Sequence, residues 1–217
     1  MVFILPKKRD IYTKRAKSEG YRSRAAYKLL QIDKKFKIFH NTQTVIDLCG
    51  APGGFSQIAR DRSHGKARIF LADIARIKPI PNITEIIKGD ITKFQTILQI
   101  QKSLESYKAD ENEIVVLADC SPNVSGQWIT DHARQIWLTE AALGISNYFL
   151  AEIFLTKVFQ GEYYQDLLEK IKESYNDVKT YKPPTSRKKS AEMYIIAIHN
   201  KNRSSKRYNR LHLVENE

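Results

Sequence analysis

The chain has 217 residues, 42% of them hydrophobic, and this length predicts a single domain with a buried core. It contains no run of about 18 apolar residues, so a transmembrane helix is not expected. A net charge of +12 favours a polyanionic partner.

The positive charge is concentrated near the N-terminus. Residues 1–37 contain twelve lysines and arginines against three acidic residues, which gives this segment a net charge of +9. Tyr12, Tyr21 and Tyr27 alternate with the arginines, a mixture that suits phosphate contact and base stacking. We therefore predict that residues 1–37 bind a polyanion. An anionic membrane surface is the alternative, but it would require a wider apolar stripe.

Two helices are predicted in this segment, at residues 10–19 and 23–36. Gly20 breaks the pattern between them, and Ser23 is a candidate N-cap for the second helix. Lys28 lies on the second helix, and its spacing alone indicates an ordinary surface lysine.

A glycine turn follows the first predicted strand. The strand contains Asp47, and Gly50, Gly53 and Gly54 follow before a helix begins. The spacing matches neither a dinucleotide-binding fingerprint nor a phosphate-binding loop. A carboxylate beside such a turn favours a cationic ligand, and S-adenosylmethionine has both an ammonium and a sulfonium.

Strands and helices alternate along the chain. The predicted strands are residues 44–49, 68–73, 82–88, 114–118, 153–159, 178–181 and 192–199. The remaining helices are predicted at 53–62, 92–107, from 131 onward, and at 162–175. This alternation predicts an α/β fold with a largely parallel sheet.

Acidic residues stand at the ends of three predicted strands. Asp73 ends the second strand, where a ribose diol is usually held, and Asp119 ends the continuous apolar run 114–118. Asp90 follows the third strand after a glycine, a position equally typical of a turn. We expect these carboxylates at the ligand-binding edge of the sheet.

Lys157 stands inside the apolar strand 153–159. Burying an unpaired ammonium is costly, so this placement indicates a chemical role.

Cys49 and Cys120 each end an apolar run, and the five histidines show no ligand spacing. We expect two small buried thiols in a reducing cytoplasm, and no metal site.

Several stretches together resemble the FtsJ/RrmJ family of S-adenosylmethionine-dependent RNA ribose 2′-O-methyltransferases. The matching segments are Asp-Leu-Cys-Gly-Ala-Pro-Gly-Gly-Phe-Ser-Gln at 47–57 and the motifs at 23–29, 118–126, 157–161 and 190–194. They occur in the family's order over roughly residues 10 to 199. The resemblance is closest to the compact ribosomal RNA members.

The resemblance implies a seven-stranded Rossmann-like sheet, mostly parallel with the last strand antiparallel and with helices on both faces. It implies a catalytic tetrad of Lys28, Asp119, Lys157 and Glu192. The implied cofactor-binding residues for S-adenosylmethionine are Asp47, Gly50, Gly53, Phe55, Asp73, Asp90 and Asp119. Lys157 would be the general base, or would stabilise the developing alkoxide while remaining charged.

The expected activity is therefore 2′-O-methylation of a ribose, at a uridine, in large-subunit ribosomal RNA. The alternatives are a tRNA anticodon-loop methyltransferase and a non-catalytic RNA-binding module on the same fold. We expect an RNA-binding helical segment at 1–37, a methyltransferase domain at 38–200 and a disordered tail at 201–217. We also expect a cytoplasmic monomer that does not bind membranes.

Overall fold

A computed structural model describes residues 11–110, 112–122, 125–187 and 190–203. The helices are α1 (Ile11–Ser18), α2 (Ala25–Phe36), α3 (Gly54–Arg62), α4 (Phe94–Ser106), α5 (Trp128–Tyr148) and α6 (Tyr164–Ser174). The strands are β1 (Thr44–Leu48), β2 (Arg68–Asp73), β3 (Glu85–Lys88), β4 (Ile114–Ala118), β5 (Ile153–Phe159), β6 (Tyr175–Tyr181) and β7 (Glu192–Asn200).

The strands form one seven-stranded sheet in the order β3-β2-β1-β4-β5-β7-β6. β7 is antiparallel to both of its neighbours, and the other neighbouring pairs are parallel. The expected topology is thereby confirmed. The strand order reverses between β1 and β4, and open α/β sheets bind ligands beyond the carboxyl ends of the strands at such a point.

Helices cover both faces of the sheet. One apolar cluster joins α2 and α3 to one face, and a second joins α4, α5 and α6 to the other. Val115 and Val116 are successive residues of β4 and belong to opposite clusters. A strand buried on both faces reads as a continuous apolar run, and this explains why β4 could be predicted to the residue.

The structure corrects two expected helix starts. Helix α5 begins at Trp128 rather than at Asp131. Asp131 lies in the first turn, and its carboxylate holds the residues before the helix by accepting hydrogen bonds from the N–H groups of Ser125 and Gly126. The residue before α2 is Arg24, not Ser23, and no side chain caps that helix.

The two cysteines form a disulfide, so the expectation of two free thiols was wrong. Cys49 follows β1 and Cys120 follows β4, and these parallel strands are paired with Leu48 opposite Ala118. Their Cα atoms lie 5.1 Å apart, within the usual range for a disulfide. The two cysteines are 71 residues apart in the sequence, and this spacing did not indicate a bond. Only the pairing of β1 with β4 brings them together.

The predicted division of the chain at residue 37 stays a prediction. Helix α2 buries Ala26, Leu29 and Ile32 in the same cluster as the sheet residue Val45. Residues 1–10 and 204–217, which contain part of the basic segment and most of the predicted tail, lie outside the described residues. Within the described ranges, no helix combines the length and apolar character that a bilayer crossing requires.

Helix α2 should contribute to the stability of the whole domain. Leu29→Ala should lower the free energy of unfolding by about 2–5 kcal/mol, because a fully buried leucine leaves a cavity when truncated. Urea unfolding measures the change. Leu98→Ala is the matched control on α4, where the side chain is 40% exposed, and it should change stability far less. Equal effects would contradict a shared core.

Candidate active site

The predicted catalytic side chains meet at the carboxyl edge of the parallel strands. Asp119 follows β4, and Lys157 lies near the end of the neighbouring β5. Because β7 runs antiparallel, its first residue, Glu192, lies opposite Phe159 at the end of β5. Lys157 shares a sheet face with Leu155, since side chains alternate along a strand, and this face is the one covered by α2.

Lys157 is buried and has three acceptors. Its Nζ lies 3.2 Å from Asp119 Oδ1 and donates to the Asp119 carbonyl oxygen at 2.9 Å. It also donates to the Ser121 hydroxyl. Three acceptors match the three N–H bonds of an ammonium, so the cost of burying this charge is offset locally.

Lys28 and Glu192 form a second buried ion pair. Lys28 Nζ lies 2.6 Å from Glu192 Oε2, and the Ser186 hydroxyl donates to Glu192 Oε1 at 2.8 Å. Lys28 projects from the buried side of α2 and is not the surface lysine that its spacing alone indicated. The pair joins a residue near the start of the chain to one near its end.

Tyr194 connects the two pairs and was not predicted as a site residue. Its hydroxyl donates to Asp119 Oδ1 at 2.8 Å, and Lys28 Nζ lies 5.7 Å from its ring centroid. Burial raises the pKa of Tyr194 well above its usual value, so the hydroxyl stays a neutral donor. Strand periodicity was the available signal, because Tyr194 is two residues beyond Glu192 and therefore on the same face.

Asp47 is a fully buried carboxylate with one free oxygen. Oδ2 accepts a 2.6 Å hydrogen bond from the Ser56 hydroxyl, whereas Oδ1 has no hydrogen-bond partner among the described residues. Burial raises the pKa of Asp47 to about 7. An unpaired buried carboxylate oxygen beside the glycine turn fits the ammonium of S-adenosylmethionine, which would supply the missing partner.

The glycines of the turn are required by local packing. Gly53 has φ +112°, and a Cβ there would lie 2.2 Å from Ile80 Cδ1. A Cβ on Gly50 would lie 2.6 Å from Leu71 Cγ. The Arg22 guanidinium also fixes the turn, by donating to the Pro52 carbonyl at 3.2 Å. A side chain at position 53 would therefore clash with Ile80 of the protein itself, whether or not a ligand is bound.

The other predicted cofactor residues lie around this turn or in the core behind it. Asp73 accepts hydrogen bonds from the N–H groups of Ala51, at 2.9 Å, and Ala75, at 2.7 Å. Asp90 accepts from the backbone N–H of Thr92, and this bond lowers the pKa of the Asp90 carboxyl. Phe55 is buried, with its ring centroid 6.4 Å from that of Tyr194.

Comparison with known proteins gives consistent matches over most of the chain. The model of the family described as FtsJ-like methyltransferase matches residues 21–200. A ribosomal RNA large subunit methyltransferase E from Methanothrix thermoacetophila is 47% identical, over 87% of this chain and 71% of the relative. The protein of the same name from Methanobrevibacter smithii is 40% identical, over 94% of this chain and 96% of that relative.

Solved structures share the fold. The crystal structure of a ribosomal RNA methyltransferase from Plasmodium falciparum has a TM-score of 0.72 and 25% identity, over 83% of this chain and 98% of that chain. The structure of human methyltransferase-like protein 13 has a TM-score of 0.51, over 82% of this chain and 81% of that chain. Because its sequence identity is 8%, this likeness shows the fold alone.

The raised pKa of Asp47 predicts pH-dependent cofactor binding. Below pH 7 the free carboxyl is mostly protonated, and a cationic ligand favours the ionised form, so affinity should rise with pH. Between about pH 5.5 and pH 7 the ionised fraction, and with it the affinity for S-adenosylmethionine, should rise roughly fifteenfold. Calorimetry measures the dissociation constant. Asp47→Asn should bind more weakly and without this dependence, and an unchanged slope in the variant would contradict the assignment.

Proposed function

Since the chain belongs to the FtsJ-like methyltransferase family, we infer that it transfers a methyl group from S-adenosylmethionine to a ribose 2′-hydroxyl of large-subunit ribosomal RNA. The relatives at 40–47% identity are named ribosomal RNA large subunit methyltransferases, and this supports the substrate class. A uridine as the acceptor nucleoside is part of the same proposal.

The observation on which the proposal rests is the pair of buried lysine–carboxylate contacts beside the glycine turn. Lys157–Asp119 and Lys28–Glu192 place two ammonium groups at the edge of the sheet where the cofactor turn also lies. An RNA-binding module without catalytic activity would gain nothing from burying these charges, since phosphate contacts are made by exposed cations.

The chemistry needs two reactants in line and one proton removed. When bound, S-adenosylmethionine supplies a methyl group on a sulfonium, which is a good leaving group. The protein must hold the 2′-oxygen against that methyl carbon and accept the hydroxyl proton.

We assign the general-base role to Lys157. Its amine must be neutral when it accepts the hydroxyl proton, and the Asp119 carboxylate 3.2 Å away orients it. The Tyr194 hydroxyl and the Ser121 hydroxyl hold this pair in place. Lys28, oriented by Glu192, supplies positive charge to the developing alkoxide.

Cofactor contacts are assigned to Asp47, Gly50, Gly53, Phe55, Asp73, Asp90 and Asp119. Asp47 offers its free buried oxygen to the ammonium. Asp73 lies at the end of β2, where a carboxylate can accept from both ribose hydroxyls.

The RNA is proposed to approach over the N-terminal helices. The ring centroids of Tyr12 on α1 and Tyr27 on α2 lie 5.7 Å apart, and Tyr27 precedes Lys28. Helix α1 therefore packs beside the helix that carries Lys28, and its exposed lysines are proposed to contact the RNA phosphates. The enzyme would act as a monomer in the cytoplasm, although the Cys49–Cys120 disulfide is unusual for that compartment.

Ribose-methylation mapping of total RNA, with and without the gene, tests the substrate. A single site lost from large-subunit ribosomal RNA supports the proposal. A site lost from a tRNA anticodon loop would support the tRNA alternative instead, and no lost site would contradict both.

Lys157→Ala should lower the single-turnover methylation rate by about 10²–10⁴-fold, the usual contribution of general acid–base catalysis. Lys157→Arg should not restore it, because a guanidinium stays protonated. Calorimetry should show nearly unchanged S-adenosylmethionine binding in both variants. Lys179→Ala, at an exposed lysine on the edge strand β6, is the matched control and should keep the wild-type rate. If the Lys157→Arg enzyme is active, Lys157 is not the general base and acts only through its positive charge.

The basic helix α1 should contribute to the salt dependence of RNA binding. Replacing the exposed Lys14 and Lys17 by Gln should flatten the slope of log affinity against log salt concentration by roughly 1–2, since each phosphate contact contributes about 0.7–0.9. The control is Lys102→Gln with Lys108→Gln, two exposed lysines on and just after α4, which packs on the opposite face of the sheet from α2. Identical slopes in the two double variants would show that α1 does not contact RNA.

A further inference from the structure

Three aromatic rings form a stack at the start of α5. The centroids of Trp128 and His132 lie 5.7 Å apart with an interplanar angle of 15°, and those of His132 and Tyr163 have the same separation and angle. His132 is 2% exposed, whereas Trp128 is 52% exposed and Tyr163 is 37% exposed. The stack therefore has a buried centre and two accessible ends.

The stack is held rigidly. His132 Nε2 donates to the Phe159 carbonyl at 3.0 Å. A Cβ on Gly161 would lie 2.6 Å from His132 Cε1, so the imidazole fills the space above that glycine. The Asp131 hydrogen bonds to Ser125 and Gly126 fix the backbone that leads into Trp128. A large ring held in one orientation loses little entropy when a flat ligand binds it.

The stack lies at the reacting edge of the sheet. The Trp128 ring centroid is 6.1 Å from that of Phe159, and Phe159 is two strand positions beyond Lys157. Two positions along a strand span on the order of 7 Å. Trp128 also comes only nine residues after Asp119 in the sequence, so Trp128 is close to one member of the proposed catalytic pair along the chain and close to the other through Phe159.

We propose that Trp128 stacks on a nucleobase next to the reacting ribose, with His132 and Tyr163 as its support. This rests on the proposed function for the identity of the strand as RNA. A base is favoured over an apolar protein segment because the chain has a net charge of +12 and the exposed Arg134 lies further along the same helix. Every nucleobase has a π-face, so this contact positions the strand without reading its sequence.

Fluorescence of Trp128 tests the contact directly. Trp128 and Trp137 are the two tryptophans of the chain, so a Trp137→Phe background leaves Trp128 as the single reporter. Decauridylate should quench this emission. The same ribose–phosphate chain without bases should bind more weakly and should not quench. No quenching by decauridylate would overturn the proposal and leave the surface to a protein partner.

Affinity measurements with Trp128→Ala separate stacking from a structural role. The variant should bind decauridylate about 5- to 100-fold more weakly than the wild type, and should bind the base-free chain equally well. Trp137→Ala is the matched control, since Trp137 lies on the same helix and is 57% exposed, and it should have no effect. An equal loss of affinity for decauridylate and for the base-free chain would contradict the proposal and give Trp128 a purely structural role. Because no methylation is measured, these outcomes do not depend on whether large-subunit RNA is the substrate.

Discussion

The site depends on keeping two ammonium groups inside an apolar fold. Lys157 and Lys28 are both buried, and each lies against its own carboxylate. Removing one member of a buried pair leaves an uncompensated charge at a cost of about 3–5 kcal/mol, so the four side chains constrain one another. Their elements are constrained in turn, because α2, β5 and β7 must pack in one arrangement for the charges to meet.

The antiparallel direction of β7 is what completes this arrangement. A parallel last strand would begin at the opposite edge of the sheet and place Glu192 far from Lys28. Running antiparallel, β7 has Glu192 at the catalytic edge and Tyr194 directly opposite Lys157. The cofactor side is built differently, since backbone geometry at Gly53 and its packing against Ile80 set the turn. Substitutions there would act through the fold as much as through the ligand.

Much of this could be predicted from the sequence, and the failures have physical causes. β4 was predicted to the residue because burial on both faces gives a continuous apolar run, and β5 because apolar residues flank Thr156 and Lys157 on both sides. β6 starts earlier than predicted, at Tyr175, because an exposed edge strand has little apolar pattern. The Cys49–Cys120 bond was missed because the two cysteines become neighbours only through strand pairing, and the Trp128 stack was missed because its third ring, Tyr163, is distant in sequence from Trp128 and His132.

Helix α2 links substrate binding to chemistry. Tyr27 contacts Tyr12 of α1, and the Arg15 guanidinium of α1 lies 5.1 Å from the centroid of the Tyr27 ring. Lys28, which directly follows Tyr27 on α2, points into the site. The apolar face of α2 is packed against the sheet, so it cannot shift without opening the core. If α1 binds RNA phosphates as proposed, the RNA strand is held by a helix that packs against α2, the helix that carries Lys28. Binding through α1 would then set the position of the ribose relative to the ammonium groups, with no closing movement required.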